Sequence, residues 1–213
     1  MEALTVCCMG MSVPQDEAGN QLLALGDSYS VGEGVRLEDS WAMQTIGSLE
    51  LSGIEIIAET GWTTDELAAA VAARRLRGPF ALVSLLIGVN SQYRGRPLDE
   101  YRAQFAELLK NAIGLAGGGR ERVIVLSIPD WGVTPFAEGR DRDQIAREID
   151  AFNAVNLSES RRQRVHYVDV TPISRRAATE PELLAPDGLH PSAIMYEEWA
   201  ELVVPVAREA LRS

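Results

Sequence analysis

Leu22-Leu23-Ala24-Leu25-Gly26-Asp27-Ser28-Tyr29-Ser30-Val31-Gly32-Glu33-Gly34 reads as a short strand that stops at a sharp turn. Four apolar residues are too few for a helix and suit a buried strand. Gly, Asp and Ser directly after it let the backbone turn and leave a hydroxyl at the strand's carboxyl end, outside the core. In open α/β sheets that edge is where ligands bind. Ser28 is therefore the candidate nucleophile.

Working outward, the same alternation of buried strand, turn and helix repeats through the chain. Residues 54–58 are expected as a second strand, 80–87 as a central one, 123–128 as a fourth and 165–170 as a fifth. Between them, helices are expected from Ser40 to about Leu51, over 65–76, from Leu98 to the triple glycine at Gly117, and from Asp141 to about Arg162. A closing helix carries Met195, Trp199, Leu202, Val203 and Val206 on one face, with a kink expected at Pro205. Strands separated by helices predict an α/β fold, a three-layer α/β/α sandwich around a five-stranded parallel sheet of flavodoxin-like layout, with right-handed connections. Such a sheet would set Ser28, Gly61 and Asn90, each just after a strand, along one edge.

At 213 residues the chain suits one domain, predicted over 21–213, with residues 1–20 as a flexible N-terminal extension. A net charge of −11 disfavours nucleic acid and anionic membrane surfaces as partners, since both are polyanions. The two cysteines, Cys7 and Cys8, are adjacent and give neither a disulfide framework nor a metal site. Glu2 in place of a basic leader makes residues 4–13 a poor signal peptide, and no stretch approaches the ~20 apolar residues of a membrane span. A cytoplasmic location is the resulting expectation.

Pro186-Asp187-Gly188-Leu189-His190-Pro191 lies between the fifth strand and the last helix and holds one of two histidines. In a helix-like turn, Asp187 and His190 share a side, so the carboxylate can hold one ring nitrogen while the other faces a substrate. A serine hydroxyl is a weak nucleophile and needs such a base. His166 falls within the fifth strand and reads as structural.

Gly26-Asp27-Ser28, Gly61, Gly88-x-Asn90 and Asp187-x-x-His190 together resemble, in order, the four sequence blocks of the GDSL esterases, or SGNH hydrolases, over about residues 22–204. The resemblance implies Ser28 as nucleophile, His190 as general base and then acid, and Asp187 as its orienting partner. It implies an oxyanion hole from the Ser28 N–H, the Gly61 N–H and the Asn90 side-chain amide. It also implies a small-molecule ester, possibly a thioester, as substrate, with no metal or organic cofactor. Tyr29 stands where the family name has Leu, and Tyr29, Trp62, Tyr93 and Trp131, with Phe136 nearby, are candidate substrate contacts. The absence of a Gly-x-Ser-x-Gly elbow argues against the α/β-hydrolase fold. Two alternatives stay open: a metal-dependent phosphoesterase using Asp27, Asp187 and His190 as ligands, and a non-catalytic phosphate- or nucleotide-binding module built on the 26–34 loop. Oligomeric state is not readable.

Overall fold

The computed structural model describes residues 18–74, 76 and 78–212. Cys7, Cys8 and most of the expected N-terminal extension lie outside the described residues. Ala18–Asn20, counted in that extension, instead forms a 3-10 turn whose Asn20 carbonyl accepts the Ser52 N–H, tying it to the domain.

Five strands form one parallel sheet: β1 (Gln21–Gly26), β2 (Gly53–Ala58), β3 (Leu82–Leu86), β4 (Val123–Leu126) and β5 (His166–Val168), in the order β2-β1-β3-β4-β5. Leu22 is paired with Ile54 on one side and Leu82 on the other, and Gly26 likewise with Ala58 and Leu86. Leu22 to Leu25 and all of β3 are buried whichever way their side chains point, because helices cover both faces. That is why these strands are apolar without alternation.

The helices are α1 (Ser28–Val31), α2 (Trp41–Gly47), α3 (Thr64–Arg74), α4 (Val89–Tyr93), α5 (Leu98–Leu115), α6 (Arg142–Gln163), α7 (Thr171–Arg175) and α8 (Ala193–Ala210). α2 packs on α8 in one layer, and α3, α5 and α6 pack side by side in the other. Trp41, Tyr196 and Trp199 fill the first layer's core, and Tyr101, Phe105 and Ile149 are fully buried in the second. No helix among the described residues is long and apolar enough to cross a membrane.

Some boundaries differ from expectation. α2 stops at Gly47, where the Ser48 N–H turns back onto the Thr45 and Ile46 carbonyls, so the chain can reach Asn20 at the start of β1. β3 begins only at Leu82, because Phe80 donates its N–H to Leu115 and Ala81 to Gln21 before the ladder starts. α8, as expected, runs through Pro205. The carbonyl that Pro205 leaves unbonded belongs to Glu201, which lies on the exposed side of the helix.

The turn out of β1 is the tightest point of the fold. A Cβ on Gly26 would lie 2.1 Å from the Ser30 Oγ and 2.4 Å from the Leu86 carbonyl of β3. Asp27 then caps α1, its Oδ1 accepting the Tyr29 N–H at 3.1 Å, while its Oδ2 is buried without a hydrogen-bond partner. Burial pushes this carboxyl from 3.8 up to about 7, against the pull of the Tyr29, Asp27 and Gly88 N–H groups.

Two outcomes follow for stability. Gly26→Ala forces backbone apart between β1 and β3 and is expected to lower the unfolding free energy by about 3 kcal/mol, read as a denaturant midpoint shift at constant slope. Asp27 is neutral in both folded and unfolded chains at low pH, but folding must bury its charge above about 7, so its destabilising effect grows as pH rises between 3.8 and about 7. Asp27→Asn is expected to escape this. Its stability relative to the parent should rise by roughly 2–3 kcal/mol between pH 5 and pH 8.5; an unchanged difference would contradict the buried-charge reading.

Candidate active site

The strand order reverses between β1 and β3, since the chain leaves β1 toward β2 on one side and returns to β3 on the other. The crevice at such a switch point opens beside the carboxyl ends of those two strands. Ser28 follows β1, Gly61 follows β2, Asn90 follows β3, and His190 arrives on the segment before α8. All four line one cavity of about 170 Å³.

Each is held from behind. A helix leaves its first N–H groups without an intrahelical partner. Asp27 takes that of Tyr29, and Ser28, at the first position of α1, presents its own N–H at the same end. The Gly61 carbonyl accepts from Arg94 Nη2 at 2.7 Å, and Arg94 is in turn paired with Glu66 at 3.3 Å, fixing the loop after β2 to α4 and α3. Asn90 Nδ2 donates to the Trp62 carbonyl at 3.0 Å, which orients the amide and leaves its second hydrogen available. Glu33 and Thr60 bridge the loops after β1 and β2 through a 2.5 Å hydrogen bond.

Asp187 and His190 meet by a turn that is not helical. Asp187 Oδ1 accepts the N–H groups of Leu189 and His190, at 2.9 and 3.0 Å, with Gly188 in the left-handed region. Asp187 Oδ2 lies 2.7 Å from His190 Nδ1. One carboxylate thus shapes its own loop and holds the imidazole. With Nδ1 donating to the carboxylate, Nε2 is the lone-pair nitrogen. Partial burial pushes the Asp187 carboxyl up, but the His190 hydrogen bond and the two N–H groups outweigh it and hold it below the ordinary carboxylate range. His190 is 8% exposed, and the Tyr29 ring packs edge-on against it with centroids 5.6 Å apart. Burial, reinforced by the Asp27, Asp130 and Asp187 charges, keeps the Tyr29 hydroxyl protonated.

Gly34 is what lets this loop approach. It has φ +84, and a Cβ there would stand 2.7 Å from the Ala185 Cβ and 3.3 Å from Asp187 Oδ2. Nothing in the sequence singled it out beyond its place in a glycine-rich turn.

Of the expected substrate contacts, Tyr29, Tyr93 and Trp131 line the cavity, as does Phe136. Trp62 does not: its ring packs against the hydrophobic core, and only its main-chain carbonyl serves the site, through Asn90. Val89 and Leu189, which were not foreseen, add apolar wall from inside the Gly-x-Asn and Asp-x-x-His motifs. The three residues of the metal alternative are not gathered as ligands. Asp27 is 1% exposed beneath α1 and outside the cavity lining, and no group of three metal-ligating side chains occurs among the described residues.

The arrangement offers a hydroxyl, an imidazole oriented by a carboxylate and a set of preorganised donors around a small apolar cavity. This is equipment for acyl transfer. The comparisons with known proteins agree. The model of the GDSL-like lipase/acylhydrolase family matches residues 24–198. No curated protein matches the chain. Among solved structures, it is similar to a lipolytic protein of the G-D-S-L family from Veillonella parvula, at 18% identity over 87% of this chain and 97% of that one, with a TM-score of 0.67. It is similar to the psychrotrophic esterase EstA from a Pseudoalteromonas species, at 16% identity over 91% and 100%, TM-score 0.70. It is also similar to Axe2, an acetylxylan esterase from Geobacillus stearothermophilus, at 21% identity over 91% and 96%, TM-score 0.65. The fold around the cleft is theirs, the family's model runs from within β1 into α8, and the chain belongs to the GDSL-like lipase/acylhydrolase family as a carboxylic ester hydrolase.

Proposed function

We propose that the chain cleaves carboxylic esters by way of an acyl-enzyme on Ser28, with His190 as base and then acid and Asp187 as its orienting partner. The observation that carries this is the 2.7 Å contact between Asp187 Oδ2 and His190 Nδ1, on a histidine that shares its cavity with Ser28. As Ser28 Oγ attacks the ester carbonyl, Nε2 takes the hydroxyl proton. The imidazolium so formed sits against a carboxylate held in its ionised form. The same proton then goes to the departing alcohol oxygen, and a water deprotonated at Nε2 releases the acid from Ser28.

The negative charge on the carbonyl oxygen is met by the N–H groups of Ser28 and Gly61 and the free amide hydrogen of Asn90. Removing one such donor raises the barrier by about 2.7–4 kcal/mol. The anchoring of Gly61 by Arg94 and of Asn90 by the Trp62 carbonyl means these dipoles need little rearrangement as charge develops. The substrate is a small-molecule ester; the likeness to an acetylxylan esterase places acetylated sugars beside aryl esters in the panel to be tried.

The test is hydrolysis of p-nitrophenyl esters by purified variants. Ser28→Ala is expected to lower kcat by about 10⁶, leaving only the residual rate that the oxyanion donors and binding supply. Asp187→Asn should retain fold but lower kcat by about 10⁴, because the imidazole loses its tautomer control. Asn90→Ala should lower kcat by about 10²–10³ with a smaller change in KM. Full activity in Ser28→Ala would overturn the proposal.

A further inference from the structure

Two clefts meet at one wall. The active-site cavity, about 170 Å³, and a second cleft of about 290 Å³ over the start of α6 both count Tyr93 and Trp131 among their lining residues. On the active-site side the wall is apolar, continued by Val89, Phe136 and Leu189; on the far side it faces Arg140, Gln144 and Glu148. We propose that Trp131 is the residue that ends the acyl-binding cavity and limits the enzyme to short acyl groups. This inference rests on the Ser28 acyl-enzyme reading.

The indole is fixed far more firmly than a loop side chain would be. Trp131 is 4% exposed, and its Nε1 donates to Gln92 Oε1 at 2.8 Å. Gln92, itself 5% exposed, donates from Nε2 to Glu148 at 2.7 Å, and Glu148 accepts from Gln144 at 2.7 Å. This chain ties the indole to α6. From the side, Tyr93 and Phe136 pack on it with centroids 5.4 and 5.9 Å away. Arg140 stacks over all three rings at 5.0–5.6 Å and donates to the Tyr93 hydroxyl at 2.9 Å. The indole therefore cannot swing aside without breaking its buried hydrogen bond to Gln92.

The acyl side is the part of the substrate this cavity suits. The alcohol departs past His190 once it is protonated, whereas the acyl group stays bonded to Ser28 through a second step and gains from the apolar surroundings of Val89, Tyr93, Trp131 and Phe136. A cavity of about 150 Å³ holds a benzene molecule. One of about 170 Å³ accordingly takes about six non-hydrogen atoms, which admits the roughly five of a butanoyl group but not the roughly seven of a hexanoyl group. Each methylene that finds room raises kcat/KM by roughly fourfold, and the first that meets the indole reverses the trend.

The experiment is kcat/KM for p-nitrophenyl acetate, butanoate, hexanoate, octanoate and decanoate with the parent, Trp131→Ala, Tyr93→Ala and Ser28→Ala. The parent should peak at butanoate. Trp131→Ala opens the cavity toward the second cleft, and its octanoate-to-butanoate ratio should rise at least tenfold over the parent's. This ratio is independent of how much of the variant is folded. Tyr93→Ala, at a residue 44% exposed, removes the other half of the shared wall and should move the ratio the same way. An unchanged ratio in Trp131→Ala overturns the inference, whatever Tyr93→Ala does. Failure of the underlying mechanism reads differently: Ser28→Ala would then match the parent on every ester, and the inference would fall with it.

Discussion

The constraint from which the site follows is the position of β1 between β2 and β3 in a wholly parallel sheet. Because both neighbours run the same way, all three carboxyl ends emerge on one edge, and the chain must depart from β1 in one direction and return to β3 from the other. Three loops are thereby brought together without any side-chain interaction being needed to gather them. The side chains then lock the result: Glu33 to Thr60, Arg94 to Gly61 and Asn90 to Trp62 each join two of these loops.

The fourth component comes from the far end of the chain and depends on clearance rather than topology. Gly34 leaves the gap into which Ala185 and Asp187 fit, and the Asp187 carboxylate uses both oxygens, one for its own turn and one for His190. The two acidic groups near Ser28 are driven in opposite directions. Asp27, desolvated and short of partners, is pushed up; Asp187, half-exposed and well bonded, is held down. Only the second is held ionised beside an imidazole, a difference of environment that their shared residue type does not reveal.

The inner strands β1, β3 and β4 were legible in the sequence because they are buried on both faces and so read as nearly continuous apolar runs. Ser28 and Asn90 were legible for a related reason, each standing just after such a run, and Gly61 because it follows the edge strand β2. Trp62 was not, since the loop's main chain rather than its ring serves the site, a matter of backbone direction that residue type does not encode. The end of α2 at Gly47 is set by docking onto Asn20, and the role of Gly34 by Ala185, both distant in sequence. Gln92 and Arg140 likewise owe their importance to Trp131 and to the aromatic rings around it, partners visible only once the loops are folded together. Local pattern revealed the elements and the motifs; long-range packing decided what supports them.

The most direct measurement is covalent trapping: intact-mass and peptide mass spectrometry after exposure to a fluorophosphonate, on the parent chain and on His190→Ala. A single adduct on the peptide carrying Ser28, formed rapidly in the parent and at least a hundredfold more slowly in His190→Ala, is the expected result. An adduct on another residue, or equal labelling in both proteins, would contradict a Ser28 nucleophile activated by His190.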